Sequence, residues 1–332
     1  MHVKRREVPV EDAIGMQLAH DMTRIVPGEF KGRQFRRGHV IQAEDIPVLL
    51  DMGKRHIYVL ELDEGELHED DAAVRMAKAI AGTGVRLSDV EEGKVVLKAD
   101  RDGMLWVDAR RVTAMNSIDE IAIATRVPFQ HVRKGTSLAS VRPIPLVVAE
   151  EKVRAVEVIA RGAHRRSMID VLPYRPQKVH LVTTGSEILS GRIEDRFGPV
   201  LREKLAAYGV GDVEQTLVGD EMDAIAGEIV RAAEGGATLV LVTGGMSVDP
   251  DDRSPAAIRR AATEVVTHGT PMIPGSMMML AYRGHTAIFG LPGAVIHDPV
   301  TAFDKLLPRV LAGLRVRRRD IAVLGIGGWL NA

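Results

Sequence analysis

Residues 239–257 read LVLVTGGMSVDPDDRSPAA. The run Leu239, Val240, Leu241, Val242 is short, continuous and rich in β-branched residues, the pattern of a strand in a parallel sheet covered on both faces. Gly244 and Gly245 then let the backbone turn sharply and approach a ligand with no side chain in the way. Ser254 followed by Pro255 reads as a helix start, with the serine hydroxyl capping free amides and proline standing where its missing N–H costs nothing. Between turn and helix lie Asp249, Asp251 and Asp252. Amides at a helix start attract anions, whereas these carboxylates repel them. A hard cation bridging carboxylate and phosphate oxygens reconciles the two, and Mg²⁺ is the usual one. Taken singly, each acid serves the helix dipole equally well.

The rest of the chain sets bounds on this reading. With 332 residues there is room for two or three domains, and 45% hydrophobic with 27% charged residues is ordinary globular composition. The 44 basic residues are balanced by 45 acidic ones, which leaves no electrostatic case for a nucleic-acid partner. Cysteine is absent, excluding disulfides, thiolate zinc sites and a cysteine nucleophile. The opening MHVKRREVPVEDA is basic but lacks the apolar core of a signal peptide, and no apolar run approaches the roughly 18 residues of a bilayer span. The expectation is a cytoplasmic protein with no membrane partner.

Five segments follow from texture: an N-terminal α+β region (1–65), a small β-rich module (66–149), a helix and linker (150–177), an α/β domain (178–314) and a tail (315–332). In the first, Ile14, Leu18 and Met22 recur at helical spacing and predict an amphipathic helix over 10–22. A basic stretch (Lys31, Arg33, Arg36, Arg37), a short helix over 43–52 and a strand over 56–60 follow. The cations suit a solvated face or an anionic ligand. A helix over 70–81 ends at Gly82 and Gly84. Residues 94–99 and 104–107 alternate around Arg101, Asp102 and Gly103 and read as a hairpin. Short strands are expected over 121–124, 127–132 and 143–148, then a helix over 150–160.

From 178 onward strands and helices alternate: strands over 178–183, 213–217, 238–243 and 286–289, helices over 199–208, 223–234, 255–262 and 295–311. This predicts a mostly parallel sheet with helices on both faces, whose ligands sit outside the carboxyl ends of the strands. The segments there are Thr184, Gly185, Ser186 and Glu187, then Gly219, Asp220 and Glu221, then the quoted loop, then Gly290, Leu291, Pro292 and Gly293. The turn Pro274, Gly275, Ser276 adds a fifth, opening a methionine run (277–279) better suited to packing than to binding. His180 lies in a strand and reads as a hydrogen-bonded core residue. His268, His285 and His297 have no metal-ligand spacing.

These motifs carry a resemblance. Residues 178–314 look like the molybdopterin-binding domain shared by the adenylyltransferase and molybdenum-insertion enzymes of molybdenum cofactor synthesis and by the CinA family. Residues 183–188 are similar to the family's TGxEL segment, Asp220-Glu221 to its DE segment, Thr243-Gly244-Gly245-Met246-Ser247 to its TGGxS turn, and Leu291-Pro292-Gly293 to its LPG turn. The resemblance implies catalytic acids at Glu187, Asp220 and Asp252, with Mg²⁺ on Asp220 and Asp252. It implies a cofactor cradle from Thr184, Gly185, Ser186, Thr243, Gly244, Gly245, Met246, Ser247, Asp249, Pro274, Gly275, Ser276, Leu291, Pro292 and Gly293. The implied ligand is molybdopterin or its adenylylated form, with ATP, AMP or molybdate as co-reactants, a homodimeric assembly, and molybdenum insertion or cofactor activation as the task.

At the front, residues 7–22 resemble the leading helix of the insertion enzymes and 37–60 their GxxLxxxDIxxLxxxG segment. Two departures stand out: Ala294-Val295 replaces the usual Asn-Pro, and Ser276 replaces a lysine that often binds the phosphate. They leave open a non-catalytic carrier that serves an apo-molybdoenzyme. The Gly191-Arg192 segment leaves open a CinA-like hydrolase of pyrophosphate bonds.

Overall fold

The computed structural model describes residues 6–26, 30–59, 62–162, 166–246 and 252–330. The chain forms two compact units. One comprises Met1–Arg101, Trp106–Pro128 and Lys134–Val171, the other Asp102–Leu105, Phe129–Arg133 and Leu172–Ala332.

The second unit is built on six strands: β1 (Val179–Thr184), β2 (Val213–Val218), β3 (Leu239–Thr243), β4 (Glu264–His268), β5 (Met279–Arg283) and β6 (Thr286–Leu291). Their order is β2-β1-β3-β6-β5-β4. The first four in that order run parallel, while β5 and β4 add an antiparallel edge. Every residue of β1, β3 and β6 is buried, as continuous apolar strands covered on two faces must be. Leu181, Leu241 and Phe289 pack on one face with helices α2 (Phe197–Ala206), α5 (Ala294–His297) and α6 (Ala302–Leu311). Val182, Val240 and Ile288 pack on the other with α3 (Met222–Glu234) and α4 (Ser254–Ala261). A further short helix, α1 (Ser186–Leu189), follows β1. The α/β reading therefore holds.

Three details of this unit differ from expectation. The helix over 295–311 is two helices: Pro299 disfavours helical geometry at Asp298 (φ −105°, ψ 130°), and the Thr301 amide and hydroxyl donate to Asp304 at 2.8 and 2.9 Å, starting α6 afresh. Strands β4 and β5 have no counterpart in the sequence reading. Ser254 does not cap α4; it lies buried inside the first turn.

In the first unit, strand Arg6–Pro9 pairs antiparallel with His56–Val59. The helix expected over 10–22 is a single 3-10 turn, Val10–Asp12. Gly15 turns the chain at φ +84°, and Ile14 is exposed while Leu18 and Met22 are buried, so the apolar trio never forms one helical face. That removes the leading helix the resemblance implied. Helices Asp45–Asp51, Glu69–Ile80 and Glu150–Arg161 are present as read. The expected hairpin is not formed: strand Val95–Ala99 pairs with Val85–Leu87 and Ser137–Pro143 in this unit, whereas Gly103 and Met104, which belong to the second unit, pair with Val132 and His131 of that unit. Helix Ala109–Asn116 and strand Ile169–Leu172 went unread. Leu60 and the Lys31 side chain fall outside the described residues, Arg33 is paired with Asp21 and Arg37 with Asp71.

His68 ties this unit together. It is fully buried, its Nε2 faces the Ala19 carbonyl, and its Nδ1 accepts the Asp70 amide at 3.1 Å. Burial, then the Arg37 charge, hold its pKa below the ordinary imidazole value. The neutral form is thus favoured in the fold, while the unfolded chain takes up a proton near pH ~6.5. The contribution is complete above that pH and is lost as pH falls below it. Urea unfolding of His68→Gln is expected to show a flatter loss of stability between pH 7.5 and 5.5 than the parent; an equal slope would clear His68 of the effect.

No helix among the described residues is long and apolar enough to cross a membrane.

Candidate functional site

Strand register brings the loops together. Thr183 pairs with Thr243 and Thr243 with Leu291, so β1, β3 and β6 end level. After β1 the chain crosses to β2 on one side and then returns to β3 on the other, which makes the β1–β3 gap a switch point where loops splay and leave a crevice.

A cleft of about 990 Å³ occupies this place. Glu187, Asp220 and Asp252 all line it, together with Thr184, Gly185 and Gly245. A smaller cavity of about 350 Å³ is lined by Gly244, Gly245, Met246, Leu291, Pro292, Gly293 and Asp252. Gly245 and Asp252 border both spaces.

Each acid is placed by its loop. Asp220 accepts the Ser186 amide at 2.9 Å, which fixes the start of α1 and leaves the other carboxylate oxygen unspent by that bond. Glu187 follows Ser186 and is exposed. Asp252 is half-buried, two residues before Ser254. The Ser254 hydroxyl donates to the Gly244 carbonyl at 2.7 Å and lies 3.4 Å from Thr184 Oγ1, so one buried side chain ties the two glycine loops. Gly244 has φ +86°, and a Cβ there would stand 2.5 Å from the Thr184 carbonyl oxygen, a space only glycine fits. The Thr243 hydroxyl is buried with no hydrogen-bond partner among the described residues.

Removing the Ser254 hydroxyl strands the Gly244 carbonyl. Ser254→Ala is expected to cost about 1–3 kcal/mol, the usual penalty for one unsatisfied buried group, read as a lower melting temperature. An unchanged value would mean that the loops are held from elsewhere.

Other expected residues lie apart. Pro274, Gly275 and Ser276 line neither space; Gly275 presses on α6, where a Cβ would stand 2.9 Å from the Ala302 nitrogen. Of the methionine run, Met278 and Met279 are fully buried, and only Met277 reaches the smaller cavity. Ser247, Asp249 and Asp251 fall outside the described residues. His180 is a core residue as read: it is 6% exposed, with Nε2 at 3.0 Å from Thr216 Oγ1 and 2.9 Å from Glu228 Oε1. The sequence reading missed Arg253, a cation on the cleft wall, and Phe197 on the smaller cavity. Arg253 stood inside the quoted stretch, next to Asp252; Phe197 carried no signal.

Glycine loops and carboxylates thus gather over the switch point of a doubly wound α/β domain. Residues 180–312 match the family described as the probable molybdopterin binding domain. Residues 7–61 match a domain of unknown function, DUF8806. A CinA-like protein of Mycobacterium leprae (strain TN) is 36% identical over 80 residues, 24% of this chain and 19% of that protein. The match thus spans about a fifth of the relative's length. Among solved structures, the molybdopterin biosynthesis enzyme MoaB from Thermus thermophilus is 27% identical, covering 40% of this chain and 91% of that one at a TM-score of 0.34. The molybdopterin biosynthesis Mog protein from Mycobacterium ulcerans is 21% identical, covering 40% and 94% at 0.35.

Proposed function

We propose that the α/β unit binds molybdopterin, or its adenylylated form, and acts in molybdenum cofactor biosynthesis, in molybdenum insertion or cofactor activation. The observation that carries this reading is the convergence of Glu187, Asp220 and Asp252 on one cleft bordered by Gly185 and Gly245. The ligand phosphate meets amides of the loop at Gly244 to Met246, since the Gly185 and Ser186 amides are already given to the Val218 carbonyl and to Asp220, and the apolar ring lies toward Met246, Leu291, Pro292 and Gly293. Among the described residues no three His, Asp or Glu side chains gather as a metal cage. Mg²⁺ is content with one or two carboxylates completed by phosphate oxygens and water, so Asp220 and Asp252 fit that ion when the ligand is present. Glu187, exposed at the rim, orients the ligand or moves a proton.

Calorimetric titration of the full chain with molybdopterin and with AMP, in Mg²⁺ and in EDTA, tests this. Saturable binding that needs Mg²⁺ is expected; equal affinity in EDTA removes the metal from the reading, and no binding removes the ligand. Tighter binding of ADP-ribose would favour the CinA-like alternative, for which the mycobacterial relative speaks. The place of Pro274, Gly275 and Ser276 away from both spaces favours a carrier that hands the cofactor to an apo-molybdoenzyme. Sustained product release with ATP or molybdate would dismiss it. A homodimer belongs to the same proposal and is read by light scattering.

A further inference from the structure

The first unit contains a cavity of about 360 Å³ with a titratable lining of its own. Its deepest group is Glu69, the first residue of helix Glu69–Ile80, only 9% exposed. The Glu69 amide donates to the Leu146 carbonyl at 2.8 Å, and the next residues of the two segments pair, Val147 with His68, so the wall is fixed by backbone. The nearest cation, Arg142 Nη2, stands 3.9 Å from Glu69 Oε2, beyond hydrogen-bond reach, with its side chain 42% exposed. Burial, then the Asp70 charge, push the Glu69 pKa up. His20 shares the lining, and its Nδ1 is buried with no hydrogen-bond partner among the described residues; burial, then the Lys54 charge, push its pKa down. The Tyr58 ring sits 6.5 Å from the His20 ring, tilted by 53°.

The remaining acids of the lining differ in availability. Asp21 is engaged, with Oδ1 accepting the Arg37 amide at 2.8 Å and Oδ2 meeting Arg33 at 2.9 Å. Glu92 is exposed at the rim. The cavity thus offers a buried carboxylate whose ion pair with Arg142 is long, at 3.9 Å, a ring nitrogen with no hydrogen-bond partner among the described residues, two aromatic surfaces and the apolar Leu146, with Arg142 the one cation of its lining among the described residues.

The geometry points to a binding site for a small organic cation, an ammonium or amidinium with at least two N–H donors. One N–H meets Glu69 and another His20 Nδ1, the charge lies against the Tyr58 face, and the apolar part covers Leu146. A small anion is disfavoured, since it would face Glu69, Glu92 and Asp21, while the cations beside the lining, Arg142 and Arg33, are already turned to Glu69 and Asp21.

Calorimetric titration of the full chain with benzamidine, butylammonium and benzoate tests the site. Both cations are expected to bind saturably and benzoate not at all. Glu69→Gln is expected to weaken the cations at least about tenfold. Leu146→Trp, which fills the cavity and leaves its charges in place, is expected to abolish binding and decides the matter if Glu69→Gln does not fold. Both variants are checked by circular dichroism, and Glu69→Gln should leave AMP binding unchanged. Benzoate binding, cation binding indifferent to either folded variant, or no cation binding by the parent protein would each overturn the proposal.

Discussion

Gly244→Ala is expected to lower the melting temperature of the α/β unit by roughly 6–12 °C, at about 2–4 °C per kcal/mol for a domain of this size. Two costs add up to about 3 kcal/mol: placing an L side chain in left-handed backbone, and overpacking a rigid neighbour. Both act here, because φ is +86° and the new methyl would stand 2.5 Å from the Thr184 carbonyl and 2.6 Å from its hydroxyl. Thr184 cannot retreat easily, since it closes a fully buried strand. Gly245→Ala is the internal control: at φ +55° its nearest neighbour would be Ser254 Oγ at 3.3 Å, so only the backbone cost, about 1 kcal/mol, is expected. Calorimetry that gave the two variants the same melting temperature would show that the close approach to Thr184 is not the limiting contact.

Asp252→Asn is expected to weaken Mg²⁺-dependent ligand binding about a hundredfold, roughly 2.7 kcal/mol, with little change in melting temperature. Asp252 borders both spaces, and in the proposed function its carboxylate helps hold the Mg²⁺ that a phosphate between them needs. Asparagine keeps the shape and removes the charge. The effect should vanish in EDTA, where the parent binds no better than the variant. A variant that binds normally in Mg²⁺ excludes Asp252 as a metal ligand; one that unfolds makes it a structural residue. Asp220→Asn separates the two roles further, because Asp220 also holds the Ser186 amide and its loss should loosen α1.

The α/β half was legible because its signals are local and agree with one another. The continuous apolar run at β3 and the short β-branched-rich runs at β1 and β6, each followed by a glycine turn, fit buried strands and mark the turns. Strands β4 and β5 escaped notice because β4 is half exposed at the sheet edge, with Val265 42% exposed, and β5 begins in a methionine run with no alternation. Before residue 178 the failures share a cause. Ile14, Leu18 and Met22 have helical spacing, yet long-range pairing of Arg6–Pro9 with His56–Val59 and the turn at Gly15 overrode it. The false hairpin around Gly103 arose the same way, from neighbours in sequence that pair with distant strands instead. At the site, acids and glycines were readable as residue types at strand ends. That Ser254 clasps the Gly244 loop was not, because capping and cross-loop bonding ask for the same serine in the same place.

The strand order carries a kinetic corollary. Neighbours β3 and β6 are separated along the chain by α4, β4 and β5, so the crevice floor exists only after contacts distant along the chain have closed, a slow class of folding event. A compound that grips Asp220, Gly245 and Pro292 together recognises the finished sheet and nothing earlier. Such a compound should prolong the lifetime of the native protein against denaturant while leaving the rate of refolding where it was.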